Sequence, residues 1–189
     1  MYINLHDQAQ QDVLAGSIDG QLQLARLITM VSRRIEPEVL FIDLAGITVA
    51  TASFLREAAL GLRDHCLRRE YNLFVVLANL TQKSIDEVDL LTRLAGEPLV
   101  ICELNQYREP MHPRVIGPLE EKQRVTLAAV QQHGETDAGK LAKASAEQIG
   151  TTGWNNRLAS LVAKGILVEI RSGRAKRYRT VLEGLTYGN

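Results

Sequence analysis

Two periodicities divide the chain. Over the first hundred residues short aliphatic runs alternate with stretches of 3.6-residue spacing, and over the last seventy the helical spacing dominates until it gives way to alternation. A short strand is expected near residues 10–14. Leu24, Leu27, Ile28, Val31 and Ile35 mark the apolar face of a helix that stops before Pro37, since the residue ahead of a proline disfavours helical backbone. Val39, Leu40, Phe41, Ile42 and Leu44 form a run broken only by Asp43, the pattern of a strand buried on both faces. A loop through Gly46 leads to a helix over 53–69, with Leu55, Ala58, Ala59, Leu62 and Cys66 inside and Arg56, Glu57, Arg63, Asp64, Arg68 and Arg69 outside. A strand at 73–77, a helix at 82–94 with Ile85, Val88, Leu91 and Leu94 on its inner face, and a strand at 99–102 follow. Strands separated by single helices join most economically as parallel neighbours through right-handed crossovers, which predicts a small α/β layer structure. Residues 105–118, with Pro110, Pro113 and Pro118, read as a linker.

The remaining chain predicts three helices and a hairpin. Val125, Leu127, Ala128 and Val130 lie in a helix over 119–133 closed by Gly134, and Thr136 is placed to cap a second helix holding Ala138, Leu141 and Ala142. Trp154, Leu158, Leu161 and Val162 make one stripe of a third helix, whose other side carries Thr152, Asn155, Asn156, Ser160 and Lys164. Gly165 stops that helix, because a residue without Cβ enters the left-handed conformation at little cost. Ile166, Val168 and Ile170 then alternate with Leu167, Glu169 and Arg171, Ser172 and Gly173 supply a turn, and Arg177, Tyr178 and Arg179 return as a second strand.

Charge sharpens this division. The chain is neutral overall, yet residues 1–119 hold 11 basic and 15 acidic side chains, a net of −4, while residues 120–189 hold 11 and 7, a net of +4. An acidic front half is repelled by a polyanion and a basic back half is attracted, so two domains are expected: 1–104, a linker at 105–118, and 119–184. Within 171–179 Arg171, Arg174, Lys176, Arg177 and Arg179 occur with no acid between them, the footprint of phosphate contact. Cys66 and Cys102 lack metal-ligand spacing, the four histidines are scattered, and GxxxxGK, GxGxxG, HExxH and nucleophile-elbow motifs are absent. Neither an enzyme nor a metal or cofactor site is therefore expected. No apolar run approaches the length of a membrane span and no signal peptide is visible, so a cytoplasmic protein is expected.

On these residues, about 119–181 resembles the winged helix-turn-helix domains of bacterial transcription regulators, through Leu-Ala, a turn ending in Ile149-Gly150, and the spacing Ile149, Trp154, Leu158, Leu161, Gly165. The turn from Ala142 to Ile149 is about two residues longer than is usual in such modules. The resemblance implies a third helix in the major groove and a hairpin wing on flanking phosphates. The implied contacts are Thr151, Thr152, Asn155, Asn156, Arg157 and Lys164 on the helix and Arg171, Arg174, Lys176 and Arg177 on the wing. Asn amides bond an adenine edge bidentately, and hydroxyls and cations suit phosphate or base oxygens.

Residues 10–104 resemble the STAS family, closest to a STAS-like branch of unassigned function, through Asp43, Gly46 and the stretch Thr51, Ser53, Phe54, Leu55 and Glu57. In the antagonists of that family a loop serine or threonine is phosphorylated by a partner kinase. Here Ala52 stands at the acceptor position, leaving Thr51 and Ser53 as candidate acceptors or, alternatively, as simple helix caps. The overall expectation is an α/β chain of a STAS-like layer domain followed by a winged helix: a DNA-binding regulator, homodimeric by the habit of such regulators, whose front domain senses, docks or dimerises. Two alternatives stand beside it, a protein-interaction switch docking a kinase-like ATPase and a small-molecule binding protein.

Overall fold

The computed structural model describes residues 1–68, 71–145, 147, 149–173 and 175–188, without the side chain of Ser172. The chain begins with β1 (Tyr2–Asn4), α1 (Leu5–Ala9), β2 (Val13–Leu14), α2 (Ser17–Met30), β3 (Glu38–Asp43), β4 (Val49–Ala50) and α3 (Ala52–Leu55). A π-helical turn, Arg56–Leu60, joins α3 to α4 (Gly61–Arg68), followed by β5 (Leu73–Ala78), α5 (Gln82–Ala95), β6 (Leu99–Leu104) and β7 (Pro110–Ile116). The rest is α6 (Glu121–His133), α7 (Ala138–Ala144), α8 (Thr151–Ala163), β8 (Leu167–Ser172), β9 (Ala175–Thr180) and β10 (Thr186–Tyr187).

The fold is mixed α/β around a mostly parallel sheet of order β1-β3-β5-β6-β7-β10. β1, β3, β5 and β6 are parallel neighbours, β7 runs antiparallel to β6, and β10 lies parallel to β7. Alternation along β5 explains its continuous apolar run. Leu73, Val75 and Leu77 enter a core with Leu27 of α2, Phe54 of α3, Leu62 of α4 and Leu91 of α5, while Phe74, Val76 and Ala78 enter a second core on the opposite face. The second core is completed by Leu127 of α6, Leu141 of α7, Trp154, Leu158 and Leu161 of α8, and Tyr178 of β9. The third helix and the hairpin therefore pack on the sheet itself. In the first layer α2 approaches α3 through Gly20, where a Cβ would fall 2.7 Å from the Phe54 carbonyl oxygen.

Several sequence expectations are corrected. Residues 105–118 are not a linker, because β7 lies within them and β10 adds a further strand to the same sheet. The prolines suggested otherwise, but Pro113 falls where the β6–β7 register shifts, between the pairs Ile101↔Arg114 and Glu103↔Met111, and a bulge is where a strand tolerates a residue with no N–H. The helix expected to reach Ile35 ends at Met30, and Ile35 is 95% exposed. Tertiary bonds replace its last turn: the Arg34 N–H donates to the Tyr71 carbonyl (2.8 Å) and the Glu38 N–H to that of Asn72 (2.8 Å). Leu94, assigned to an inner face, is exposed. Thr136 does not cap α7. It is buried and exchanges backbone bonds with Tyr178 of β9, while Asp137 caps the helix by accepting from the Lys140 N–H (2.9 Å). β1 and α1 were not anticipated, being too short to show a period.

Candidate nucleic-acid interface

The element order α6, the Thr136 bridge, α7, α8, β8, β9 sets the C-terminal surface. Trp154, Leu158 and Leu161 turn one stripe of α8 into the second core, so its opposite face is directed away from it. At the N-terminal end Thr151, Thr152 and Asn156 are exposed and Asn155 is half-buried, and the side chains of these four make no hydrogen bond to described residues. Gly150 at the N-cap supplies no side-chain acceptor, so the first N–H groups of a 13-residue helix point outward beside them. Such an end offers donors and acceptors to a ligand without breaking internal bonds.

The other helix candidates are committed to the protein. Arg157 has a side chain only 15% exposed, pairs with Glu147 (2.7 Å) and lies over the Trp154 ring (5.4 Å), so it ties the α7–α8 turn to α8 instead of facing outward. That bond explains how the long turn is held, and it keeps the Glu147 carboxyl below its ordinary pKa. Lys164 pairs with Glu97 (3.3 Å) after α5. Glu97 also accepts from Arg63 (3.3 Å), whose guanidinium is buried and donates to the Pro98 carbonyl (2.7 Å) and to Asp64 (2.8 Å). Gly165, with φ +72°, carries the chain past this cluster in the left-handed conformation that the helix stop requires, and a Cβ there would lie 3.9 Å from the Arg63 stem. Ser160 is taken up as well, accepting from the Gln123 amide (2.7 Å).

The hairpin is less cationic than its sequence window. Glu169 on β8 accepts from Arg171 (2.6 Å), Lys176 (3.1 Å) and the Tyr178 hydroxyl (3.2 Å), and Arg177 pairs with Glu135 (3.0 Å). Both acids lie outside the 171–179 window, and strand pairing and the α6–α7 turn bring them in. Arg174 lies outside the described residues. Burial opposes ionisation of Glu169, but the bonds from Arg171 and Lys176 outweigh it and hold the carboxyl below its ordinary pKa. Burial, then the nearby Glu169 charge, pushes the Tyr178 phenol up to about 12. The Arg177–Glu135 pair is exposed on both sides, so it is weak and exchangeable and phosphate can compete for that cation, and Arg171 and Lys176 are themselves exposed although Glu169 is largely buried.

In the front half Thr51 is the N-cap of α3. Its Oγ1 accepts from the N–H groups of Phe54 (3.4 Å) and Gly16 (3.4 Å) and lies 3.1 Å from the Ser53 hydroxyl. Glu87 of α5 takes the Ala52 N–H (2.7 Å), so a carboxylate already occupies the position at which a phosphate would meet that helix end. Asp43 is a buried hub receiving Tyr2, Asn4, Asn79 and the Ala45 N–H, which fixes the loop after β3. Among the described residues no group of acids, histidines and cysteines could hold a metal ion, and no helix is long and apolar enough to cross a membrane. In comparison with known proteins, no family model and no curated protein sequence matches the chain.

Proposed function

We propose that the chain is a double-stranded DNA-binding regulator in which residues 119–184 act as a winged helix-turn-helix. The first half of α8 enters the major groove through Thr151, Thr152, Asn155 and Asn156, and the β8–β9 hairpin rests on flanking phosphates through Arg171, Lys176 and Arg177. The observation that carries this is the group Thr151, Thr152, Asn155 and Asn156, whose side chains make no hydrogen bond to described residues and which stand beside the outward N–H groups of α8. The element order and the Thr136–Tyr178 bridge agree with the winged-helix resemblance. Arg157 and Lys164 serve as internal ties in this proposal.

The front half is proposed as a STAS-like sensing or docking layer, with no catalytic role, and a second copy of the chain as partner. Because the two layers share the sheet, an event at the front half reaches α8 through packing and not through a tether. The test is a titration of the full chain against a random-sequence duplex pool over a range of salt. Binding that weakens steeply with salt, with a two-fold symmetric enriched site, is expected. Absence of binding to every duplex at low salt overturns the proposal.

A further inference from the structure

The outer face of α2 carries apolar side chains that no described residue covers. Gly20, Gln23 and Leu27 turn inward against the first layer, while Ile18, Leu22, Ala25 and Thr29 lie on the opposite side and are exposed, Ile18 by 73% and Leu22 by 56%. Their spacing of four, three and four residues is the seam of a coiled coil, in which a second helix covers the stripe. The Thr29 hydroxyl already donates to the Arg26 carbonyl (2.7 Å), so the stripe holds no unmet donor that would need water. Large apolar side chains grouped in water at such a spacing mark a contact face.

The charges beside the stripe select what covers it. Asp19 and Arg26 stand seven residues apart on one edge of it, both exposed, and neither side chain has an ion pair or hydrogen bond among the described residues. The other edge is tied to the chain's own layer, because the Gln21 amide donates to Glu57 (3.4 Å) of the π-helical turn. When the helices of a coiled coil run antiparallel, like edges meet, so the free edge of α2 in one copy of the chain faces the free edge of α2 in another. Two-fold symmetry then sets Asp19 against the partner's Arg26 and Arg26 against the partner's Asp19, an isologous contact that leaves none of these charges unpaired. In the same register Leu22 meets the partner's Ala25 and Ile18 the partner's Thr29, large beside small along the seam. The exposed apolar pair on α5, Leu90 and Leu94, lacks this complementarity, since Arg93 beside it is already paired with Asp89 of the same helix.

We propose that a second copy of the chain docks on the outer face of α2, helix against antiparallel helix, and that Asp19 and Arg26 fix its direction. This surface rests on the second copy already proposed as partner and not on DNA binding. A pair of 14-residue helices makes a contact below the standard interface size, so a reversible dimer is expected and not a permanent one.

Sedimentation velocity of the full chain over a wide range of concentration tests the seam. Concentration-dependent dimerisation is expected, with Leu22→Asp weakening it about tenfold or more at unchanged circular dichroism. Asp19→Arg and Arg26→Asp each set like charges face to face and are expected to weaken it about threefold or more, and the double swap to restore most of the loss. A dimer indifferent to Leu22→Asp overturns the α2 seam while a second copy stays the partner, and a chain monomeric at every concentration overturns both. A dimer broken by Leu22→Asp but indifferent to the charge swaps overturns the antiparallel pairing of Asp19 with Arg26. A chain that dimerises as expected but binds no duplex leaves the seam standing and removes the DNA-binding proposal.

Discussion

The first and last turns of α8 are built from similar polar side chains and used in opposite ways. Thr151, Thr152 and Asn156 stand exposed with no side-chain hydrogen bond among the described residues, whereas Ser160 is bound to Gln123 and Lys164 to Glu97, which also accepts from the buried Arg63. The helix is thus anchored at one end and presented at the other. A short polar helix aimed by a rigid support holds its contacts more accurately than one carried on a flexible tether, and here the support is the sheet layer.

The largest test of that contrast removes the anchor's apolar part. Leu158→Ala deletes a fully buried side chain and is expected to cost about 2–5 kcal/mol, read from denaturant unfolding. Because the second core joins α8 to β5 and β6, Trp154 fluorescence and far-UV circular dichroism should fall in one coincident transition. Two separate transitions would show that the layers unfold independently and break the comparison.

At the presented end, Asn156→Ala is expected to weaken binding to the preferred duplex by about 1–3 kcal/mol while leaving the unfolding midpoint unchanged. A loss of stability without a loss of base preference would place Asn156 with the anchor. The polar part of the anchor is tested by charge reversal. Lys164→Glu is expected to lower stability by about 0.5–1 kcal/mol, discounted because Glu97 is 38% exposed, and Glu97→Lys by more, because it also takes a partner from the buried Arg63, so the double variant should recover the Lys164 share alone. If Lys164 contacts DNA directly, the double variant restores that share of stability but not duplex affinity.

The smallest effect concerns the hairpin. Glu169→Gln removes an internal competitor for Arg171 and Lys176, so duplex affinity should rise by about two- to fivefold at low salt, measured by anisotropy. The sign of its pH dependence follows from a folded-state pKa below the unfolded one. The stabilising contribution of Glu169 is present above the ordinary carboxyl value of about 4.3 and is lost as pH falls through the lowered one. Stability of the Gln variant should accordingly fall less steeply on acidification, and an identical acid limb in both proteins would contradict the ion pairs described for Glu169.

How much was legible depended on whether the determining neighbour was near in sequence. The stripe Trp154, Leu158, Leu161 and the stop at Gly165 were readable, because helical period and left-handed backbone are local properties. So was β5, expected as a strand at 73–77, though not what would cover its two faces. The hairpin cations were visible, but their acids were not: Glu135 lies 42 residues from Arg177, and Glu169 falls just before the window in which charge was counted. Pro110 and Pro113 misdirected the linker assignment, since a proline-bearing strand is legible only once the bulge that accommodates it is seen.

By itself, then, the sequence determined the succession of elements, the apolar faces of most helices and the polarity of the first turns of α8. These follow from side-chain chemistry at fixed spacing along one chain. Tertiary structure alone decided that the −4 and +4 halves share one sheet, that Arg157 and Lys164 serve as ties, and that Ile35 stands in water. The physical reason is that salt bridges, core faces and cavities are set by distances of a few ångströms between residues tens of positions apart, and no local period encodes those distances.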